Sequence, residues 1–231
     1  MSASDATPII LLPGMDGTGE LLGSLAERLA LVRPVQVCAY PLDRPLGYDQ
    51  LAAYVVERTP DRPFVILGES FSGPIAIELA AADPRVVGLV LASSFARHPI
   101  PAQFAALAPL IDFRWLPKGI IAAALMGSTA TPELTARLCR ILANLPHKVL
   151  QRRFRDVLRV DKRSRLRAIT CPVLCLHGRS DRLVRRRQVD EILAEQPRCQ
   201  IHRFEAAHML LATHPDEAAR AIDDFCAPMD Q

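Results

Sequence analysis

The chain has 231 residues, 50% hydrophobic and 23% charged, which suits one folded domain with a sizeable core and excludes a disordered chain. A formal net charge of +3 is too small to point to nucleic acid, and no apolar run reaches the roughly 18 residues of a membrane span. Residues 1–8 carry Asp5 and no basic residue, which is not the pattern of a secretory signal.

Short aliphatic runs alternate with helical patterns. Strands are predicted at Ile9–Leu12, Val35–Ala39, Phe64–Leu67, Val86–Ala92, Val173–Leu176 and Gln200–Phe204, mostly β-branched or aliphatic and most of them apolar on both faces, as covered parallel strands are. Helices are predicted at Glu20–Leu31, Tyr48–Arg58, Phe71–Ala82, Arg187–Ala194 and Glu217–Phe225. This alternation predicts an α/β fold with a doubly wound, mainly parallel sheet. The long interval between Ala92 and Val173 has no strand pattern and is punctuated by Pro99, Pro101, Pro109, Pro117, Pro132 and Pro146. We read residues 97–165 as a helical cap inserted into one domain, whose core is 1–96 and 166–231. Cys38, Cys139, Cys171, Cys175, Cys199 and Cys226 are scattered without a CxxC pair, so buried thiols in a reducing cytoplasm are expected, with no metal site.

Three places carry chemistry. The first runs from strand through tight turn to helix, Gly68-Glu69-Ser70-Phe71-Ser72-Gly73, the setting of a nucleophile elbow that exposes Ser70 at the top of the sheet. The turn crowds side chains two residues either side of the serine. Gly68 meets that demand, while Ser72 stands where the pattern has glycine. The second place is the glycine-rich turn after the first strand, Leu12-Pro13-Gly14-Met15-Asp16-Gly17-Thr18-Gly19. A phosphate loop is the competing reading, but the spacing is not GxGxxG and no P-loop lysine follows. An oxyanion hole is the better one, with backbone N–H groups of Met15 and Phe71 as its donors.

The third is the acid and base. His208 lies in the loop after the last strand, at the edge where open α/β sheets bind ligands. His177 ends a strand and is expected to pack structurally. Asp181 follows the strand ending at Leu176 on the same edge; helix capping is its plainer role. The order Ser70, Asp181, His208 is that of α/β-hydrolases and of neither chymotrypsin nor subtilisin.

On these motifs the chain resembles the α/β-hydrolase superfamily over most of its length outside the cap, in a branch of small bacterial esterases and lipases. The resemblance implies no cofactor. It implies hydrolysis of a carboxylic ester through an acyl-enzyme on Ser70, with His208 as base and Asp181 steadying the imidazolium. Phe104, Leu107, Leu110, Ile111, Phe113, Trp115, Leu116, Ile120, Ile121, Leu125 and Met126 make the first half of the cap apolar. Part is core, and the rest, Trp115 and Met126 among it, is expected to line a pocket for apolar acyl chains.

The second half is basic: Lys148, Arg152, Arg155, Arg159 and Lys162 fall at steps of four, three, four and three, one stripe of a helix, extended by Arg163, Arg165 and Arg167. Leu150, Phe154 and Val157 are expected to face the core. A solvated face is the default; the sharper reading is docking of an acidic acyl carrier protein. Pimeloyl-carrier-protein methyl ester esterases are similar in plan. An acyltransferase and a non-catalytic binding protein of the same fold are the rival classes.

Overall fold

The structure, a computed structural model, describes residues 5–99 and 118–230. Its sheet has six strands: β1 (Ile9–Leu12), β2 (Val35–Val37), β3 (Phe64–Glu69), β4 (Val86–Ala92), β5 (Val173–Gly178) and β6 (Gln200–Phe204). They are all parallel, in the order β2-β1-β3-β4-β5-β6. The chain leaves β1 for one edge and returns on its other side as β3. Loops following β1 and β3 therefore splay apart at a switch point, where open α/β sheets form their sites.

Alternation along each strand divides the core in two. Ile9, Leu11, Val65, Leu67, Val90, Leu174 and Leu176 face α1 (Gly23–Leu29) and the final helix Pro215–Cys226. Ile10, Leu12, Ile66, Leu89, Leu91 and Cys175 pack on the opposite side. That side is covered by α2 (Tyr48–Val56), α3 (Gly73–Ala82) and the helix Arg186–Glu195.

Several elements differ from their predicted bounds for local reasons. The helix expected from Glu20 opens as a 3-10 turn at Glu20–Leu22 before α1. β2 stops at Val37, because the Tyr40 N–H is drawn to Gly17 O at 2.8 Å. β3 runs on to Glu69 and β5 to Gly178, where Glu69 still pairs with Ala92 and Gly178 with Phe204.

Between β4 and β5 the described residues form α4 (Lys118–Met126), α5 (Pro132–Asn144), α6 (His147–Val157) and α7 (Arg163–Arg167). The prolines set the boundaries. Thr131 caps α5 ahead of Pro132, its hydroxyl accepting from Leu134 N, and Pro146 stands at the N-cap of α6. Residues 97 and 161 are joined by an antiparallel bridge, with Lys162 N donating to Ala96 O at 2.7 Å.

The basic segment is corrected in two respects. α6 ends at Val157, so Arg159 and Lys162 lie beyond it and the five cations do not form one helical stripe. Its buried face is Val149, Arg153 and Val157, a repeat of four, whereas Leu150 and Phe154 are only partly covered. Val149 and Val157 bring that face inward, and Arg153 between them reaches down to the loop after β1. The remaining helices are α8 (Arg186–Glu195), α9 (Leu210–Thr213) and α10 (Pro215–Cys226).

Candidate active site

Ser70 sits where β3 breaks into the 3-10 turn Ser70–Ser72 that leads into α3, and its φ is +48°. A non-glycine residue held in the left-handed region needs support. Ser94 supplies it, donating from Oγ to Ser70 O at 2.6 Å. Two glycines make the turn passable. A Cβ on Gly68 would lie 2.6 Å from Ser72 O, and one on Gly73 would lie 1.8 Å from Ser94 Oγ.

The loops that carry Asp181 and His208 arrive together. Arg179 N donates to Phe204 O and Ser180 N to Ala206 O, at 2.9 and 3.0 Å. Gly178 permits this approach, since a Cβ there would stand 2.3 Å from Ala207 O. Asp181 and His208 are both buried. Asp181 Oδ1 accepts from Leu183 N and Val184 N, each at 2.9 Å, and Oδ2 lies 2.8 Å from His208 Nδ1. A carboxylate can only accept here, so Nδ1 carries the imidazole proton and Nε2 is left with its lone pair. That lone pair meets the Ser70 hydroxyl at 2.8 Å. Serine, histidine and aspartate, far apart in sequence, form one continuous chain of hydrogen bonds.

The loop after β1 is held almost group by group. Ser72 Oγ donates to Pro13 O. Gly14 N donates to Glu69 Oε2 at 3.1 Å, and Gly17 N to Gly14 O at 3.1 Å. Arg153 Nη1 donates to Met15 O and Asp16 O, at 2.9 and 2.8 Å. The Met15 N–H makes no hydrogen bond among the described residues. Phe71 N–H follows directly on the serine at the head of the 3-10 turn.

The sequence profile of the alpha/beta hydrolase family matches residues 9–221. The chain belongs to that family. A pimeloyl-[acyl-carrier protein] methyl ester esterase of Citrobacter koseri is 26% identical over 235 residues, spanning 93% of this chain and 91% of the relative. The enol-lactonase from Burkholderia xenovorans LB400 has the same fold, with a TM-score of 0.83 at 16% identity over 95% of this chain and 91% of that one. So does the esterase EaEST from Exiguobacterium antarcticum, with a TM-score of 0.83 at 14% identity over 98% and 93% of the two chains.

Within this alpha/beta hydrolase, Ser72 fills the elbow position at which the family motif has glycine. It is fully buried and bridges two loops, since Tyr40 Oη lies 2.5 Å from its Oγ. Glu69, beside the serine, escaped the sequence reading although it lies inside the motif. Burial, reinforced by the negative charge of Asp16 and opposed by His208 and the Gly14 N–H, pushes its carboxyl up to about 7. Arg153 was hidden in a basic run; its only signal was its spacing of four from Val149 and Val157. Among the other histidines, His177 donates to Val184 O at 3.0 Å and packs, as expected from its strand end. His202 pairs with Glu217 at 3.0 Å on the outer face.

Of the residues expected to bind substrate or partner, Met126 is wholly buried in a small cluster with Leu21, Ala122, Leu138, Ile141 and Met209. Since Met209 follows His208, and Met209 N donates to Leu125 O at 2.9 Å, α4 braces the histidine loop. Trp115 lies outside the described residues, as do Phe104, Leu107, Leu110, Ile111, Phe113 and Leu116. Arg155 and Arg159 are exposed, and Arg152 is paired with Asp156 at 3.0 Å. Among the described residues no helix is long and apolar enough to cross a membrane.

Proposed function

We propose that the chain is a serine hydrolase that cleaves carboxylic esters with apolar acyl chains. The observation that carries this reading is the Ser70–His208–Asp181 relay, closed at 2.8 Å on both sides of the imidazole. Ser70 Oγ attacks the ester carbonyl as His208 Nε2 takes its proton. The tetrahedral oxyanion is met by the N–H groups of Met15 and Phe71, and Asp181 stabilises the imidazolium. His208 then returns the proton to the leaving alcohol. Water, activated by the same imidazole, releases the acid from the acyl-enzyme. Residues 97–165 act as a cap over this site in the same reading.

Labelling by a fluorophosphonate, run beside Ser70→Ala and a panel of p-nitrophenyl esters of graded chain length, tests the proposal. Labelling lost in Ser70→Ala, with turnover favouring longer acyl chains, is expected. Labelling that persists in Ser70→Ala removes Ser70 as the nucleophile, and a protein neither labelled nor active on any ester favours a binding protein. Added alcohols that divert product from acid to ester would make it an acyltransferase.

A second reading has one observation behind it. The relative from Citrobacter koseri, named as acting on a pimeloyl-[acyl-carrier protein] methyl ester, matches nearly the whole chain. Exposed Lys148, Arg155 and Arg159 suit an acidic carrier. Beside them a groove of about 380 Å³ is lined by Tyr48, Arg152, Arg159 and Lys162 together with Asp49, Asp156 and Asp161, and no residue of the relay lines it, so its charged walls do not suit an acyl chain. Arg155→Glu with Arg159→Glu is expected to slow turnover of carrier-linked methyl esters while sparing p-nitrophenyl esters; unchanged carrier turnover would dismiss it.

A further inference from the structure

Arg153 is 1% exposed and among the largest wholly buried side chains. No carboxylate hydrogen-bonds to it among the described residues; its partners are carbonyls, Met15 O and Asp16 O from Nη1 and Pro41 O from Nη2 at 3.4 Å. The guanidinium carbon sits 5.5 Å from the Tyr40 ring centroid and 5.9 Å from that of Phe71. Burial lowers its affinity for the proton, against weaker support from Tyr40 and Asp16. Its Nε has no hydrogen-bond partner among the described residues. A cation this poorly compensated is expensive to bury, and an apolar residue would fill the space at less cost. Packing alone therefore does not account for it.

What the guanidinium touches does. Oxyanion stabilisation depends on donors fixed before the charge develops. The Gly14–Met15 peptide, whose Met15 N–H has no partner among the described residues, is anchored through its carbonyl by Gly17 N. The next two peptides are anchored through Met15 O and Asp16 O, both by Arg153. Gly17, whose φ is +74°, leaves room for this contact: a Cβ there would lie 2.3 Å from Nη1. Thus the position of an N–H donor that belongs to β1's loop is set from α6, well over a hundred residues later in sequence.

We propose that Arg153 is a positioning residue for the reaction, holding the Met15 N–H in place so that oxyanion stabilisation requires α6 to be docked on the β1 loop. The proposal rests on the reading of Ser70 as nucleophile and deepens it. It also gives the segment between β4 and β5 a part in the chemical step as well as in covering the site.

Arg153→Met and Arg153→Lys test it, with Val149→Ala as a control that loosens the same face of α6 without touching the loop. All are assayed below the lowest melting midpoint of the set, with a short-chain p-nitrophenyl ester and a trifluoromethyl ketone whose hemiketal oxyanion needs the same donors. Arg153→Met is expected to lower kcat by about 10²-fold, the scale of a displaced oxyanion donor, with KM within about threefold. The ketone should weaken in parallel with kcat/KM, and Arg153→Lys should recover part of both. Val149→Ala should melt earlier yet keep kcat within about twofold.

A folded Arg153→Met with unchanged kcat overturns the proposal. So does a loss of kcat that the ketone does not follow, or one that Val149→Ala shares at equal loss of stability. If Arg153→Met does not fold, Arg153→Lys carries the same comparison. Wild-type protein that is neither labelled at Ser70 nor inhibited by the ketone marks a different failure, that of the serine mechanism itself.

Discussion

Tyr40 Oη lies 2.5 Å from Ser72 Oγ, and the direction of that bond is dictated by a third group. Ser72 has one proton and gives it to Pro13 O, so Tyr40 must be the donor. One buried serine thus joins the elbow to the loops after β1 and β2. Ser72→Ala strands the tyrosine hydroxyl and the proline carbonyl together and is expected to cost about 1–3 kcal/mol in thermal melts. Adding Tyr40→Phe should return part of that loss, because both ends of one bond are then removed. A double variant no more stable than Ser72→Ala would show that the hydroxyl pair contributes nothing.

The Asp181 carboxylate divides its oxygens between backbone and imidazole. Asparagine can preserve the first set through its carbonyl oxygen, but its NH₂ then faces His208 and favours the wrong tautomer. Asp181→Asn is expected to fold and to lose about 10⁴-fold in kcat. Esterase assays over pH 6–9 would check this, and a loss under tenfold would count against the relay.

Glu69 makes stability depend on pH. Its carboxyl has an ordinary value of 4.5 and is raised to about 7 in the fold, chiefly by burial. Between these limits the unfolded chain has lost a proton that the folded chain keeps, so stability falls as pH climbs from 4.5 to about 7 and levels off above. At about 1.4 kcal/mol for each pH unit this amounts to at most about 3 kcal/mol. Glu69→Gln keeps an acceptor for Gly14 N and removes the titration. Its melting midpoint should gain on wild type between pH 5 and pH 8; a gap independent of pH would contradict the raised carboxyl.

Gly178 lets the Asp181 and His208 loops cross. Gly178→Ala places a methyl 2.3 Å from Ala207 O, which is backbone and yields only if the histidine loop moves. A loss of about 1–3 kcal/mol is expected from such overpacking, together with a fall in kcat that exceeds any change in KM. Melts and steady-state kinetics on the same preparation would show both.

Periodicity and local chemistry were enough to place the six strands, the parallel α/β order, and Ser70, Asp181 and His208 at strand ends. These follow from interactions over a few residues: aliphatic runs that must be covered on both faces, a glycine where a turn crowds, prolines where helices start. The 2.8 Å contacts across the imidazole are another matter. They needed β3, β5 and β6 to lie in one sheet in a set order, with Gly178 and Ser94 closing the loops. Arg153 and Glu69 were out of reach for the same reason. An arginine in a basic run and a glutamate in a turn look solvated to any local rule, because burial is a property of what packs on them. Only the folded chain decided that Arg153, unlike Arg152 or Arg155, would turn inward, where its guanidinium holds the carbonyls of a loop that sequence had assigned to the oxyanion alone.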